Sequence, residues 1–135
     1  MTTRVKGQSA EDLAAKYLEN RGYEIKARNI HYKMAELDIV AYKNQMLCFV
    51  EVRSKSSTHY GTPEQTVHHH KQTKIIQASQ IYLKQHYTTL PYCRFDVISI
   101  VGYGKEAIIK HIPNAFEMTY SIKPYRKTYQ NPWKM

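Results

Sequence analysis

Residues 35–55 constrain this chain more than any other stretch. Ala35-Glu36-Leu37-Asp38-Ile39-Val40-Ala41-Tyr42 and Met46-Leu47-Cys48-Phe49-Val50-Glu51-Val52-Arg53-Ser54-Lys55 are two β-branched, aromatic-rich runs, separated only by Lys43-Asn44-Gln45. Runs of that composition joined by so short a polar break predict an antiparallel hairpin. With the turn centred between Asn44 and Gln45, Asp38 faces Glu51 and Glu36 faces Arg53. Alternation puts Glu36 and Asp38 on one face, with Glu51, Arg53 and Lys55 on the same face of the partner strand. Two carboxylates about 4 Å apart repel by ~1 kcal/mol in water and ~4 kcal/mol at the effective dielectric of a protein surface. A divalent cation between them removes that conflict, and the basic residues beside it suit phosphodiester chemistry. The same residues also fit a plainer arrangement, a surface cluster of cross-strand ion pairs with Glu36 on Arg53 and Asp38 on a lysine.

The middle of the hairpin is apolar on both faces. Leu37, Ile39, Cys48, Val50 and Val52 are expected on one face, and Val40, Leu47 and Phe49 on the other. Such strands belong inside a sheet covered by helices on both sides. The chain supplies those helices. Ser9 and Asp12 make a capping-box-like start and Gly22 a stop, which predicts a helix over residues 9–21. Ala10, Leu13, Ala14, Tyr17 and Leu18 form its buried stripe. Glu11 sits at the edge of that stripe, where its carboxylate can reach over the sheet or serve only as a first-turn charge. Residues 23–29 alternate as a strand, with Tyr23, Ile25 and Ala27 on one face. Thr62, Pro63 and Gln65 open a long helix running to His86, with Ile75, Ala78, Tyr82 and Leu83 as its core stripe. Strands follow at 92–101, where Asp96 and Ser99 alternate with apolar residues, and at 107–112. The expectation is an α/β fold with a mixed sheet flanked by helices, in the order α-β-β-β-α-β-β, over residues 1–118. Residues 119–135 form a separate tail.

Twenty Lys and Arg against eleven Asp and Glu give a net charge of +9. A surplus of that size in one small domain favours an anionic partner, nucleic acid first among them. Lys71 and Lys74 lie on the long helix. The tail carries Lys123, Arg126, Lys127 and Lys134 without a single acid, interleaved with Tyr120, Tyr125, Tyr129 and Trp133. Cations neutralise phosphates and rings stack on bases, so the tail reads as a nucleic-acid contact, or else as a terminus that packs a few rings on the domain. Cys48 and Cys93 lie in apolar strands and are expected to be buried free thiols. His68-His69-His70 cannot converge on one ion from a helix, since neighbours point about 100° apart. No nucleophilic triad and no glycine-rich phosphate loop is present. The chain has no apolar leader and no run near the ~18 residues of a membrane span, so a cytoplasmic protein without membrane contact is expected.

Gly7-Gln8-Ser9-Ala10-Glu11-Asp12-Leu13-Ala14-Ala15-Lys16-Tyr17-Leu18, Ala27-Arg28-Asn29, Ala35-Glu36-Leu37-Asp38-Ile39-Val40-Ala41, Phe49-Val50-Glu51-Val52-Arg53 and Cys93-Arg94-Phe95-Asp96-Val97 together resemble the bacterial YraN-like family. That family is similar to Holliday-junction resolvases and to the restriction-endonuclease-like, PD-(D/E)xK class. The resemblance implies a helix-borne acid, an acid on the second strand and an acid-x-lysine pair on the third. These correspond to Glu11, Asp38, and Glu51 with Arg53. It implies Mg²⁺ or Mn²⁺ held by Asp38, Glu51 and Glu11, with DNA, branched DNA included, as the partner and a homodimer for paired cuts. Arg53 and Lys55 would hold phosphate, and Lys71, Lys74, Lys123, Arg126, Lys127 and Trp133 would bind the flanking nucleic acid. Arginine stands where the class prefers lysine, and it cannot exchange a proton at neutral pH. A nucleic-acid-binding module that does not cleave is therefore the second expectation. A protein-interaction domain whose basic tail meets an acidic partner is the third.

Overall fold

The second run of the hairpin forms the middle of the sheet. The computed structural model describes residues 3–55 and 68–117, with side chains from Ala10 onward. The elements are α1 (Thr3–Asn20), β1 (Glu24–His31), β2 (Glu36–Lys43), β3 (Met46–Lys55), α2 (His69–His86), β4 (Tyr92–Val101) and β5 (Ile108–Phe116), with one 3-10 turn at Gly104–Glu106. One five-stranded sheet holds them in the order β1-β2-β3-β4-β5. Only β3 and β4 are parallel, because α2 carries the chain across between them. The other pairs are antiparallel. The α/β class and the element order are those expected from the sequence. The tail, residues 119–135, lies outside the described residues, as does the Thr62-Pro63 helix start.

The hairpin register is as expected. Ile39 pairs with Val50, Val40 with Phe49 and Lys43 with Met46. Asn44 and Gln45 both adopt positive φ, 50° and 65°. Two left-handed residues match the right-handed twist of the flanking strands, which makes this two-residue turn compatible with a tight hairpin.

Each face of the sheet has its own core. Ala10, Ala14, Ala15 and Leu18 of α1 cover Ile39, Ala41, Cys48, Val50, Ile98 and Ile100. On the other face, Ile75, Ile76, Ala78, Tyr82 and Leu83 of α2 cover Leu37, Val40, Leu47, Phe49, Phe95 and Val97. Two side assignments made by simple alternation are corrected. Ala27 packs on the α2 side although Ile25 packs on the α1 side, because the pairing of β1 slips between them. A slip of one residue exchanges the faces. Leu37 packs with α2 while Ile39 packs with α1, so alternation also breaks across Asp38.

Helix starts differ from expectation as well. α1 begins at Thr3, so Ser9 is inside the helix and its capping-box pattern marks no boundary. α2 begins at His69, because His68 is extended and lacks a side-chain cap. His68, His69 and His70 are exposed. Cys48 and Cys93 are buried and free. Burial pushes both thiols up to about 12, so they are inert at neutral pH.

Asp96 and Ser99 were expected to alternate with the apolar residues of β4, yet both are buried, at 0% and 3% exposure. Asp96 is fully satisfied. Arg94 donates to both its oxygens at 2.9 and 3.0 Å. His111 lies 2.8 Å away, and the Asn114 N–H donates at 3.0 Å. Burial alone would raise this carboxyl, but the hydrogen bonds from His111, Arg94 and Asn114 outweigh it and hold it below the ordinary range. The β4–β5 register shifts at this point, which admits the Asn114 amide.

Gln45 holds φ 65° with a side chain. Asn-Gly is the sequence such a turn prefers, so Gln45→Gly is expected to stabilise the protein by ~0.5 kcal/mol, seen as a higher urea midpoint with unchanged m-value.

A candidate active site of three acids and two cations

Glu51 is the centre of the site. It lies on β3 with only 5% of its surface exposed, on the α2 side with Phe49. Its carboxyl is hydrogen-bonded to that of Asp38. Burial comes first among the causes that push Glu51 from 4.5 up to about 8, followed by the negative charge of Asp38 and the hydrogen bond to it. Lys71 and Arg53 oppose the shift but do not cancel it. Their distances explain this. Arg53 Nη1 is 3.5 Å and Lys71 Nζ 3.8 Å from the same Oε2, beyond good hydrogen-bond length.

Asp38 sits where β2 changes sides. The β2–β3 pairing ends at Ile39–Val50, and one residue further on Asp38 Oδ2 accepts the Val52 N–H at 2.9 Å. A side chain thus replaces the backbone carbonyl that would continue the ladder. The carboxylate is fixed at the sheet's end, between the two faces. Its charge is also felt by Glu11 on α1. Glu11 is raised by burial first and by the charge of Asp38 second. Arg28 and Asn29 hold its carboxylate and lower it. Arg28 Nε lies 3.2 Å from Glu11, and Arg28 Nη2 lies 2.6 Å from Asp12. Asn29 takes φ 53°, one of few side-chain-bearing residues in that region.

Asp38 and Glu51 are therefore neighbours, with Arg53 beside Glu51, while Glu11 is linked to them by the charge of Asp38. Lys71, expected to bind flanking nucleic acid, stands with its Nζ 3.8 Å from Glu51 Oε2. Lys74 is exposed one turn further along α2. Lys55 ends β3, two residues past Arg53. Glu36 does not meet Arg53. It pairs with His31 Nδ1 at 3.1 Å across the β1–β2 hairpin. Lys123, Arg126, Lys127 and Trp133 lie outside the described residues. Sequence reasoning assigned no role to Arg28 or Asn29, although their position just before the hairpin and their place in the family resemblance were the available signals.

Among the described residues, no group of three or more His, Cys, Asp and Glu side chains is gathered so as to hold a metal ion. Asp38 and Glu51 could supply two oxygen ligands to a hard cation that keeps most of its waters. Glu11 is bonded to Arg28 and feels the charge of Asp38.

Residues 10–100 match the uncharacterised protein family UPF0102. Glu11, Asp38, Glu51, Arg53 and Lys71 all fall within that span. The chain belongs to that family. A UPF0102 protein of Persephonella marina is 44% identical over 120 residues, 89% of this chain and 100% of the relative. One from Myxococcus xanthus is 40% identical over 111 residues, 82% of this chain and 88% of the relative. One from Geobacter metallireducens is 42% identical over 114 residues, 84% of this chain and 93% of the relative. Membership of UPF0102 agrees with the resemblance carried by the sequence motifs. Among the described residues, no helix of this UPF0102 chain is long and apolar enough to cross a membrane.

A carboxyl raised in the folded state contributes stability that is complete below its unfolded value and is lost as pH rises through its folded value. For Glu51 that window runs from 4.5 to about 8. Glu51→Gln removes the penalty. The variant is expected to gain on the parent progressively across this window, by on the order of 4 kcal/mol at its upper end. Urea denaturation at a series of pH values checks this, and a constant difference across the window speaks against it.

Proposed function

We propose that this protein is a Mg²⁺- or Mn²⁺-dependent endonuclease-like protein that binds nucleic acid, DNA in the first place, and hydrolyses its phosphodiesters. The observation that carries the reading is the pairing of buried Glu51 with half-buried Asp38, with Arg53 and Lys71 on Glu51. A fold gains nothing by placing two acids together at the end of a covered sheet, since burial and the charge of Asp38 both oppose ionisation of Glu51. A cation and an anionic substrate relieve that opposition together.

Asp38 and Glu51 would hold the cation, which polarises a phosphate oxygen and makes a water more acidic when bound. Arg53 grips phosphate as a planar fork, and Lys71 adds a point charge from the first turn of α2. Glu11, held by Arg28 and Asn29, is available to accept a hydrogen bond from the attacking water. Arg53 stabilises charge that develops on the phosphate but moves no proton. The net charge of +9 supports an anionic partner of this kind.

A second reading rests on Arg53 itself. An arginine in place of lysine suits a site that binds phosphate without cutting it, and then the protein is a nucleic-acid-binding module.

Labelled duplex, single-stranded, flap and four-way-junction DNA incubated with Mg²⁺ or Mn²⁺ separates the two. Cleavage is expected, falling about 100-fold or more in Asp38→Asn and in Glu51→Gln. Salt-sensitive binding without cleavage by any metal selects the second reading. Cleavage that persists undiminished in both variants refutes the assignment of the site.

A further inference from the structure

Ser99 is a hydroxyl buried in the middle of β4. It is 3% exposed, and among the described residues its side chain makes no hydrogen bond. Buried polar groups are nearly always paired, so an orphan of this kind marks a place where something else completes the bond. Its neighbours identify what that is. In the β3–β4 ladder Ser99 pairs with Arg53, and in the β4–β5 ladder it pairs with Lys110. Paired residues of adjacent strands point to the same face. The face is that of α2, because Val97, two residues back on β4, belongs to the α2-side core and Ile112 packs against that core opposite it.

Arg53, Ser99 and Lys110 therefore form a row across three strands, about 10 Å wide at the usual strand spacing. The row lies immediately beyond that of Glu51 and Val97. Its inner end is anchored in the acid site, since Arg53 contacts Glu51. Its outer end, Lys110, is exposed on the edge strand β5. A hydroxyl donor between two cations is a phosphate-binding arrangement, and each member supplies what a phosphodiester oxygen takes. None of the acidic residues of β3, β4 or β5 stands in this row.

We propose that Ser99 and Lys110 hold a non-scissile phosphate of the bound nucleic acid, so that its backbone runs from the Asp38–Glu51 pair across β3 and β4 to the β5 edge. This rests on the reading of the protein as nucleic-acid-binding. The row gives the substrate a direction over the sheet. It also gives Arg53 two neighbours, the acid site on one side and the next phosphate on the other.

The test uses fluorescence anisotropy with the full chain and fluorescein-labelled duplex and single-stranded DNA, in Ca²⁺ so that binding is read apart from cleavage. Lys110→Gln is expected to weaken binding about 5-fold and to lower the slope of log affinity against log salt by about 1. Ser99→Ala is expected to weaken binding about 3-fold or more while melting at or above the parent temperature, because the orphan hydroxyl is gone. A scan of single methylphosphonate linkages is expected to show one position that weakens the parent and has little further effect on Lys110→Gln. If the parent binds DNA and both variants bind with unchanged affinity and salt slope, the phosphate row is wrong and the acid site is untouched. If the parent binds no DNA, the phosphate row and the proposed function fall together.

Discussion

The contact between the carboxyls of Asp38 and Glu51 is the constraint around which the sheet's end is organised. Glu51 is buried because β3 is the central strand and both of its faces are covered. Asp38 is fixed because its carboxylate takes the place of a backbone acceptor for Val52. Neither residue can retreat to water without breaking the strand that carries it. Glu51 consequently keeps its proton far above the ordinary glutamate range, and two cations, Arg53 and Lys71, are drawn to it from different elements. Glu11 on α1, held by Arg28 and Asn29 of β1, feels the charge of Asp38. One acidic contact thus couples α1, β1, β2, β3 and α2.

A second buried acid shows what a structural carboxylate looks like in the same protein. Asp96 is more deeply buried than Glu51, yet Arg94, His111 and the Asn114 amide supply it with short hydrogen bonds. Its carboxyl is held below the ordinary range, while that of Glu51 is raised. The difference is one of partners. Asp96 faces donors, and Glu51 faces another acid. A network that saturates a charge holds it ionised, whereas a second acid beside a buried carboxyl keeps that carboxyl protonated.

The hairpin register was legible because Asn44 and Gln45 fall in a short polar break between two strand-like runs, and counting back from that turn leads to Asp38 and Glu51, although alternation breaks at Asp38 itself. The two-sided burial of β2 and β3 was legible for the same reason. What escaped was wherever the period of two breaks. Ala27 and Leu37 changed faces at a slip in β1 and at Asp38, and no local preference in the residues announces either. The start of α1 was misplaced because the capping pattern at Ser9 competes with the propensity of the residues around it, and the pattern alone does not say which prevails. Glu11 and Arg53 were found through their motifs. Lys71 was found only as a surface cation, because its approach to Glu51 depends on how α2 packs on the sheet. Ser99 and Asp96 looked alike in sequence. Only the structure separates the acid whose bonds are complete from the hydroxyl whose bond is missing.

Carbon-13 NMR of the side-chain carboxyls, with the Glu51 signal assigned by its loss in Glu51→Gln, reads the central contact directly. In metal-free protein the Glu51 signal is expected to titrate near the value of about 8 that burial and Asp38 impose, and to move to lower pH when Mg²⁺ is added. A Glu51 midpoint near the ordinary 4.5, unmoved by Mg²⁺, contradicts both the acid pair and the site built on it.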